Sequence, residues 1–288
     1  MKKLIALDMD GTLLTTEKTI PVENKKAIKR AQAAGHIVMI CSGRPHEHLE
    51  RFLAEEGLGN LPISACNGAI TFVNKEKISV ASMKKDVAKM IFDWLEKEEY
   101  PFNIYTDKGV YGPRSMIDRS KKAIENTEEN GKLFFTDLTM IEAYLEKNNV
   151  NRINNWIEIP EEVQILKFYV FTPEEKKKIA FESFAKNLKG LTVTSSYPDN
   201  VEISDEAGNK GTGLLAVAHH FSITVDNTIA IGDNFNDSGM LRIAGLAVAM
   251  GNAEEGVKNM CHVITASNDE CGVALAIDKH VLKILGGD

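Results

Sequence analysis

Short uninterrupted apolar runs alternate with longer amphipathic stretches at both ends of the chain, and the middle breaks that rhythm. Near the amino terminus an apolar run over 4–7 is followed by a helical pattern over 22–34, a second run over 37–41 and a second helical pattern near 47–56. The carboxy-terminal part repeats the grammar, with helices over 212–220 and 238–244 and strands over 229–231 and 246–250. A continuous apolar run bounded by polar residues suits a strand buried on both faces, because a strand with one wet face alternates instead. Such strands interleaved with helices predict an α/β fold, a Rossmann-like parallel sheet with helices on either side.

The middle reads differently. Val87, Met90, Ile91, Trp94 and Leu95 fall at i, i+3, i+4, i+7 and i+8, one apolar face of a helix. Apolar stretches over 102–106 and 110–111 flank Asp107-Lys108-Gly109, a hairpin signal. The segment 163–171 reads as a further strand, and Pro173 opens a charged helix running to about 188. Helices mixed with antiparallel strands predict a smaller α+β unit inserted into the α/β core. The expected domains are residues 1–82 and 190–288 for the core and 83–189 for the insert.

Composition narrows the function. The chain has 288 residues, 43% hydrophobic and 26% charged, which is enough to bury a sizeable core. A net charge of -7 argues against tracking a nucleic-acid backbone, so Lys176, Lys177 and Lys178 are expected on a solvated helix face. Lys2 and Lys3 precede an apolar run that Asp8 interrupts, too short for a signal segment or a membrane span. Cys41, Cys66, Cys261 and Cys271 form no CxxC pair and have no histidine at zinc-finger spacing, which points to buried thiols in a reducing compartment. The expectation is a cytoplasmic protein with no nucleic-acid, membrane or obligate protein partner.

Four strings carry chemistry. Asp8-Met9-Asp10-Gly11-Thr12 follows the first strand directly, so both carboxylates reach the crevice at the carboxyl edge of the sheet. Ser42-Gly43-Arg44-Pro45 follows the second strand and offers a hydroxyl and backbone N–H groups to an anion at the start of a helix. Lys210, between Asn209 and Gly211, opens a helix where a cation opposes the macrodipole and therefore asks for an anion. Gly232-Asp233-Asn234-Phe235-Asn236-Asp237 ends another buried strand with an oxygen-rich cluster that suits Mg²⁺ better than zinc. Each string has a plain alternative: an acidic turn, a helix cap, a surface lysine, a solvated loop. Their shared placement at the ends of buried elements favours chemistry.

In this order the strings resemble the haloacid dehalogenase (HAD) superfamily of phosphotransferases, over nearly the whole chain. The layout looks like the Cof-type subfamily, whose α/β cap is inserted between the second and third motifs. Asn67-Gly68-Ala69 and the stretch 245–252 match that subfamily too, while Met9 stands where leucine is frequent and Ser42 where threonine is. The resemblance implies a HAD fold in which Asp8 is the nucleophile and Asp10 the general acid and base. It implies phosphate or substrate contacts from Ser42, Gly43, Arg44, Asn67, Lys210 and Asn236, with a structural salt bridge open as the alternative for Arg44. It implies Mg²⁺ held by Asp8, the Asp10 backbone carbonyl and Asp233, with Asp237 as a minor ligand or a support. Because the residue two after the nucleophile is an acid, phosphatase chemistry is favoured over dehalogenation. The implied activity is Mg²⁺-dependent hydrolysis of phosphate monoesters of small metabolites through an aspartyl phosphate, with the cap selecting the substrate. A hexose phosphomutase and a non-catalytic phosphate-sensing protein are the alternatives.

Overall fold

The structure, a computed structural model, describes residues 1–127, 138–147 and 149–284. In chain order the elements begin β1 (Leu4–Leu7), α1 (Val22–Ala33), β2 (Ile37–Cys41), α2 (His46–Glu55), β3 (Ile63–Ala65), β4 (Ile70–Val73) and β5 (Glu76–Val80). They continue with α3 (Lys85–Lys97), β6 (Phe102–Thr106), β7 (Gly109–Pro113), α4 (Met116–Glu125), α5 (Leu138–Lys147), β8 (Asn151–Ile153), β9 (Ile165–Phe171), α6 (Glu175–Lys186), β10 (Leu191–Thr194) and β11 (Asn200–Asp205). The last are α7 (Lys210–His220), β12 (Thr228–Gly232), α8 (Ser238–Ile243), β13 (Leu246–Ala249), α9 (Glu255–Lys258), β14 (Val263–Ile264) and α10 (Gly272–Ile277). Contacts divide the chain into two compact units, Met1–Val80 with Asn209–Asp288, and Ala81–Gly208.

The first unit is built on a sheet of order β14-β13-β12-β1-β2-β3-β4-β5. The strands from β14 to β3 are parallel, and β4 and β5 turn antiparallel at the edge. Every residue of Leu4–Leu7 is 0% exposed, the outcome an apolar run without alternation dictates for a strand covered on both faces. From β1 the chain builds outward through β2 and β3 on one side and later returns through β12 on the other. That reversal of strand order opens a crevice at the carboxyl ends of β1, β2 and β12, where α/β sheets bind ligands.

The second unit has its own sheet, of order β10-β11-β9-β6-β7-β8, and its own core. Ile91, Phe92 and Leu95 of α3 pack with Phe102, Ile104, Phe168, Val170, Phe181, Val201 and Ile203. The buried stripe of α3 is Ala88, Ile91, Phe92 and Leu95, whereas Met90, expected on that face, is 47% exposed. The stripe is centred on Ala88 and Leu95, with Val87 and Trp94 along its edge, and Met90 lies beyond that edge. The Asp107-Lys108-Gly109 turn joins β6 to β7 as a hairpin, with Gly109 at φ +113°. The second division between the units falls at 208/209, later than the boundary of 190 read from sequence. The reason is pairing: β10 is antiparallel to β11 and β11 to β9, so the stretch after 190 completes the second sheet.

Candidate active site

Asp8 is the first residue after β1, and its N–H donates to the Ile231 carbonyl (3.1 Å), so the ladder to β12 runs up to the loop. The loop closes on itself as Leu13 donates to the Asp8 carbonyl (3.2 Å) and Leu14 to the Met9 carbonyl (2.9 Å). Gly11 makes the turn at φ +84°, and a Cβ there would stand 2.3 Å from Asp233 Oδ2. Conformation and space both demand glycine at that position, because the Asp233 carboxylate, just after β12, fills the place of a side chain.

Lys210 is the first residue of α7, and its ammonium lies 2.5 Å from Asp8 Oδ1 and 2.5 Å from Asp237 Oδ1. Its side chain is 0% exposed, against 8% for Asp8 and 0% for Asp237. The anion that a lysine at a helix amino end requires is thus supplied twice. The other oxygen of Asp237 accepts from the N–H groups of Asp233 (2.9 Å) and Asn234 (3.0 Å), which fixes the turn after β12. Thr12 Oγ1 donates to Asp233 Oδ1 (2.7 Å), tying the loop after β1 to the loop after β12. Asn236 is half-buried in the same turn.

Asp10 faces a different set of partners. Arg44 donates from Nε to Oδ2 (2.9 Å) and from Nη2 to Oδ1 (2.7 Å), a two-pronged contact, and Lys18 Nζ adds a third at Oδ1 (3.0 Å). Arg44 thus forms a salt bridge with Asp10. Ser42 is buried at the end of β2, where its Oγ accepts from the Arg44 N–H (3.3 Å) and its carbonyl from the Asn67 N–H (2.9 Å). A Cβ on Gly43 would be 2.9 Å from Asn67 Oδ1, so Ser42, Gly43 and Asn67 form one tight corner. Gly68, at φ +95°, lies so close to the Asn209 carbonyl that a Cβ would be 2.0 Å from it, which seats the corner against the start of α7. Asn209 caps that helix by accepting from Gly211 and Thr212, and this sets the position from which Lys210 extends.

The electrostatics follow from crowding. Burial, then repulsion from Asp237, raises the Asp8 carboxyl well above the ordinary carboxylate range despite Lys210. Burial and Asp237 also push Asp233 up, to about 6. Burial acts to lower the Lys210 ammonium, but Asp237 and Asp8 outweigh it and hold it above its usual value. At Asp10 burial acts upward, and the Arg44 hydrogen bonds and charge together with Lys18 prevail, so the carboxyl titrates below its usual value. Burial pushes the neighbouring Cys41 thiol up to about 12, so it stays protonated.

Asp8, Asp233 and Asp237 bring carboxylate oxygens within 4.8 Å of one another. An all-oxygen donor set in which burial and neighbouring charge raise the carboxyls of Asp8 and Asp233 fits a hard divalent cation. The Asp10 carboxylate, engaged by Arg44 and Lys18, lies outside that set. Thr12, Gly68 and Asn209 stand within the strings read from sequence but carry no assigned role there, and Lys18 stands in none of them. Thr12 sits inside the first string and was within reach of the reading, whereas Lys18 lies in a polar loop with no periodicity to mark it.

The family model for haloacid dehalogenase-like hydrolases matches residues 5–277. The phosphatase YwpJ of Bacillus subtilis is 31% identical over 97% of this chain and 100% of its own length. The 5-amino-6-(5-phospho-D-ribitylamino)uracil phosphatase YwtE of the same organism is 33% identical over 96% of this chain and 97% of its own. A solved structure of a haloacid dehalogenase-like hydrolase from B. subtilis superposes with a TM-score of 0.82 at 29% identity, covering 97% of this chain and 99% of that one.

Proposed function

The chain belongs to the haloacid dehalogenase-like hydrolases and is a phosphatase of their Cof type, and from that premise we propose a metal-assisted mechanism through an aspartyl phosphate on Asp8. The observation that carries the proposal is the convergence of Lys210, Asp233 and Asp237 on Asp8 at the end of β1. The substrate is the phosphate monoester of a small metabolite. Asp8 attacks phosphorus in line with the ester oxygen; the Asp8 O–P bond forms as the ester P–O bond breaks, and Asp10, entering the step in its protonated form, gives that proton to the departing oxygen and is left as carboxylate. Water then attacks the aspartyl phosphate and gives its proton to Asp10, the Asp8 O–P bond breaks, and inorganic phosphate leaves.

Lys210 stays charged beside Asp8 and donates to a non-bridging phosphoryl oxygen, together with the Ser42 hydroxyl and the Gly43 N–H. Asp8, Asp233, Asp237 and the Asp10 backbone carbonyl would hold Mg²⁺, which would supply positive charge that offsets the repulsion of carboxylate and phosphate. Discrimination among metabolites belongs to the unit Ala81–Gly208, and the four free cysteines support a cytoplasmic setting. The test is phosphate release from a panel of phosphorylated metabolites, with acid quenching and mass spectrometry of the Asp8 peptide. Asp8→Asn is expected to lower turnover by at least about three orders of magnitude, since an amide is neither a competent nucleophile nor a good ligand. Substantial turnover by that variant refutes the covalent route.

A further inference from the structure

The loop between β1 and α1 carries a cation that no motif marks. Lys18 occupies the left-handed region at φ +62°, an uncommon conformation for a lysine. It is held there by a turn in which Thr15 donates to the Thr19 carbonyl (2.9 Å) and Lys18 donates to the Thr15 carbonyl (2.9 Å). The turn is anchored from outside, because Thr16 donates from its N–H and its hydroxyl to the two oxygens of Asp269, each at 2.8 Å. A conformation kept against its own cost by surrounding contacts points to a task for the side chain it presents. That side chain reaches Asp10 Oδ1 at 3.0 Å, the same oxygen that accepts from Arg44 Nη2.

We propose that Lys18 is a positioning residue which, with Arg44, fixes the Asp10 carboxylate so that Oδ2 is the oxygen that exchanges the proton. A carboxylate oxygen has two lone-pair sites. Lys18 and Arg44 Nη2 fill both sites of Oδ1, whereas Arg44 Nε takes one site of Oδ2 and leaves the other for substrate or water. Arg44 is itself backed by the Phe52 ring, 5.9 Å from its guanidinium carbon. Arg44 alone would fix the plane of the carboxylate but leave Oδ1 open to compete for the proton; Lys18 closes that choice. The Lys18 side chain is 48% exposed, so its ion pair adds little to stability and its removal should read out in catalysis. The inference rests on Asp10 acting as acid and base.

The experiment measures steady-state turnover of glycerol 2-phosphate, whose leaving alkoxide needs the proton, for Lys18→Met and Lys18→Arg in wild-type and Asp10→Asn backgrounds. Lys18→Met is expected to lower kcat about tenfold with KM within about twofold, and Lys18→Arg to recover most of the loss. In the Asp10→Asn background Lys18→Met should cost less than about twofold, because its effect passes through the missing carboxylate. An unchanged kcat, a rise in KM alone, or an equal loss in both backgrounds overturns the proposal. Full turnover by Asp10→Asn, or no phosphate released by the wild type from either glycerol 2-phosphate or 4-nitrophenyl phosphate, refutes the underlying reading instead and the clamp with it.

Discussion

Replacing Lys210 with methionine keeps a chain of similar length in place and removes the charge shared by two buried carboxylates. Lys210 Nζ lies 2.5 Å from each of Asp8 Oδ1 and Asp237 Oδ1, and its side chain is 0% exposed. Removing one partner of a buried ion pair costs about 3–5 kcal/mol, chiefly because the remaining charge keeps its desolvation without compensation. Here two carboxylates are orphaned with Asp233 close by, but Asp8 can escape by protonating, since its carboxyl is already raised by burial and by Asp237. Each further unit of pKa costs about 1.4 kcal/mol, so the loss at pH 7 should remain near about 4 kcal/mol.

The sign of the pH dependence follows. A carboxyl raised above its unfolded value weakens the fold while ionised, and the cost disappears as pH falls through the raised value. The loss should therefore be large at pH 7 and smaller at pH 5. The assay is hydrogen exchange by mass spectrometry on peptides spanning β1 and β12, in EDTA, normalised for intrinsic rates. These peptides report the first unit, whereas Trp94 and Trp156 both lie in the second and would report the wrong transition. Exchange of β1 amides should accelerate by about two to four orders of magnitude at pH 7. A change worth less than about 1 kcal/mol, or an equal change at both pH values, refutes the buried-charge account.

EDTA should stop turnover and Mg²⁺ restore it, whereas Ca²⁺ should fail because it favours more ligands at longer distances; full activity with Ca²⁺ contradicts the reading. Asp233, pushed up to about 6 by burial and Asp237, loses its charge as pH falls, so calorimetric Mg²⁺ affinity should be about tenfold weaker at pH 5 than at pH 7. Gly11→Ala adds a Cβ 2.3 Å from Asp233 Oδ2 at a φ of +84°, displacing that carboxylate. Its Mg²⁺ affinity should fall at least about tenfold, and an unchanged affinity would remove the proposed constraint.

By itself the sequence determined which segments become buried strands and which residues stand at their ends. The run Leu4–Leu7 lacks polar alternation, so it can only lie between two covered faces, and Asp8 is where that run stops. The same reasoning placed Ser42 after β2 and Asp233 after β12, a helical pattern put Lys210 at the head of α7, and the mixture of helical and hairpin patterns marked the insert as an α+β unit. The second boundary was less legible. The edge strand β10 and its neighbour β11 alternate apolar residues with Thr192, Thr194, Asn200 and Glu202, a period that marks strands, but only the pairing of β10 with β11 and of β11 with β9 assigns them to the second sheet.

Only the tertiary structure decided the partners. Nothing local states that β12 docks beside β1, yet that adjacency brings Asp233 onto the space above Gly11, and the seating of α7 against Gly68 brings Lys210 to Asp8 across 202 positions. Nor does any pattern distinguish Lys18 from other solvent-facing lysines; its role arises from a turn tied to Asp269 across 253 positions. Hydrophobic periodicity records how one element meets the core, because burial is a property of each residue with its near neighbours. The convergence of charges depends on strand order and loop closure, which the whole chain sets together.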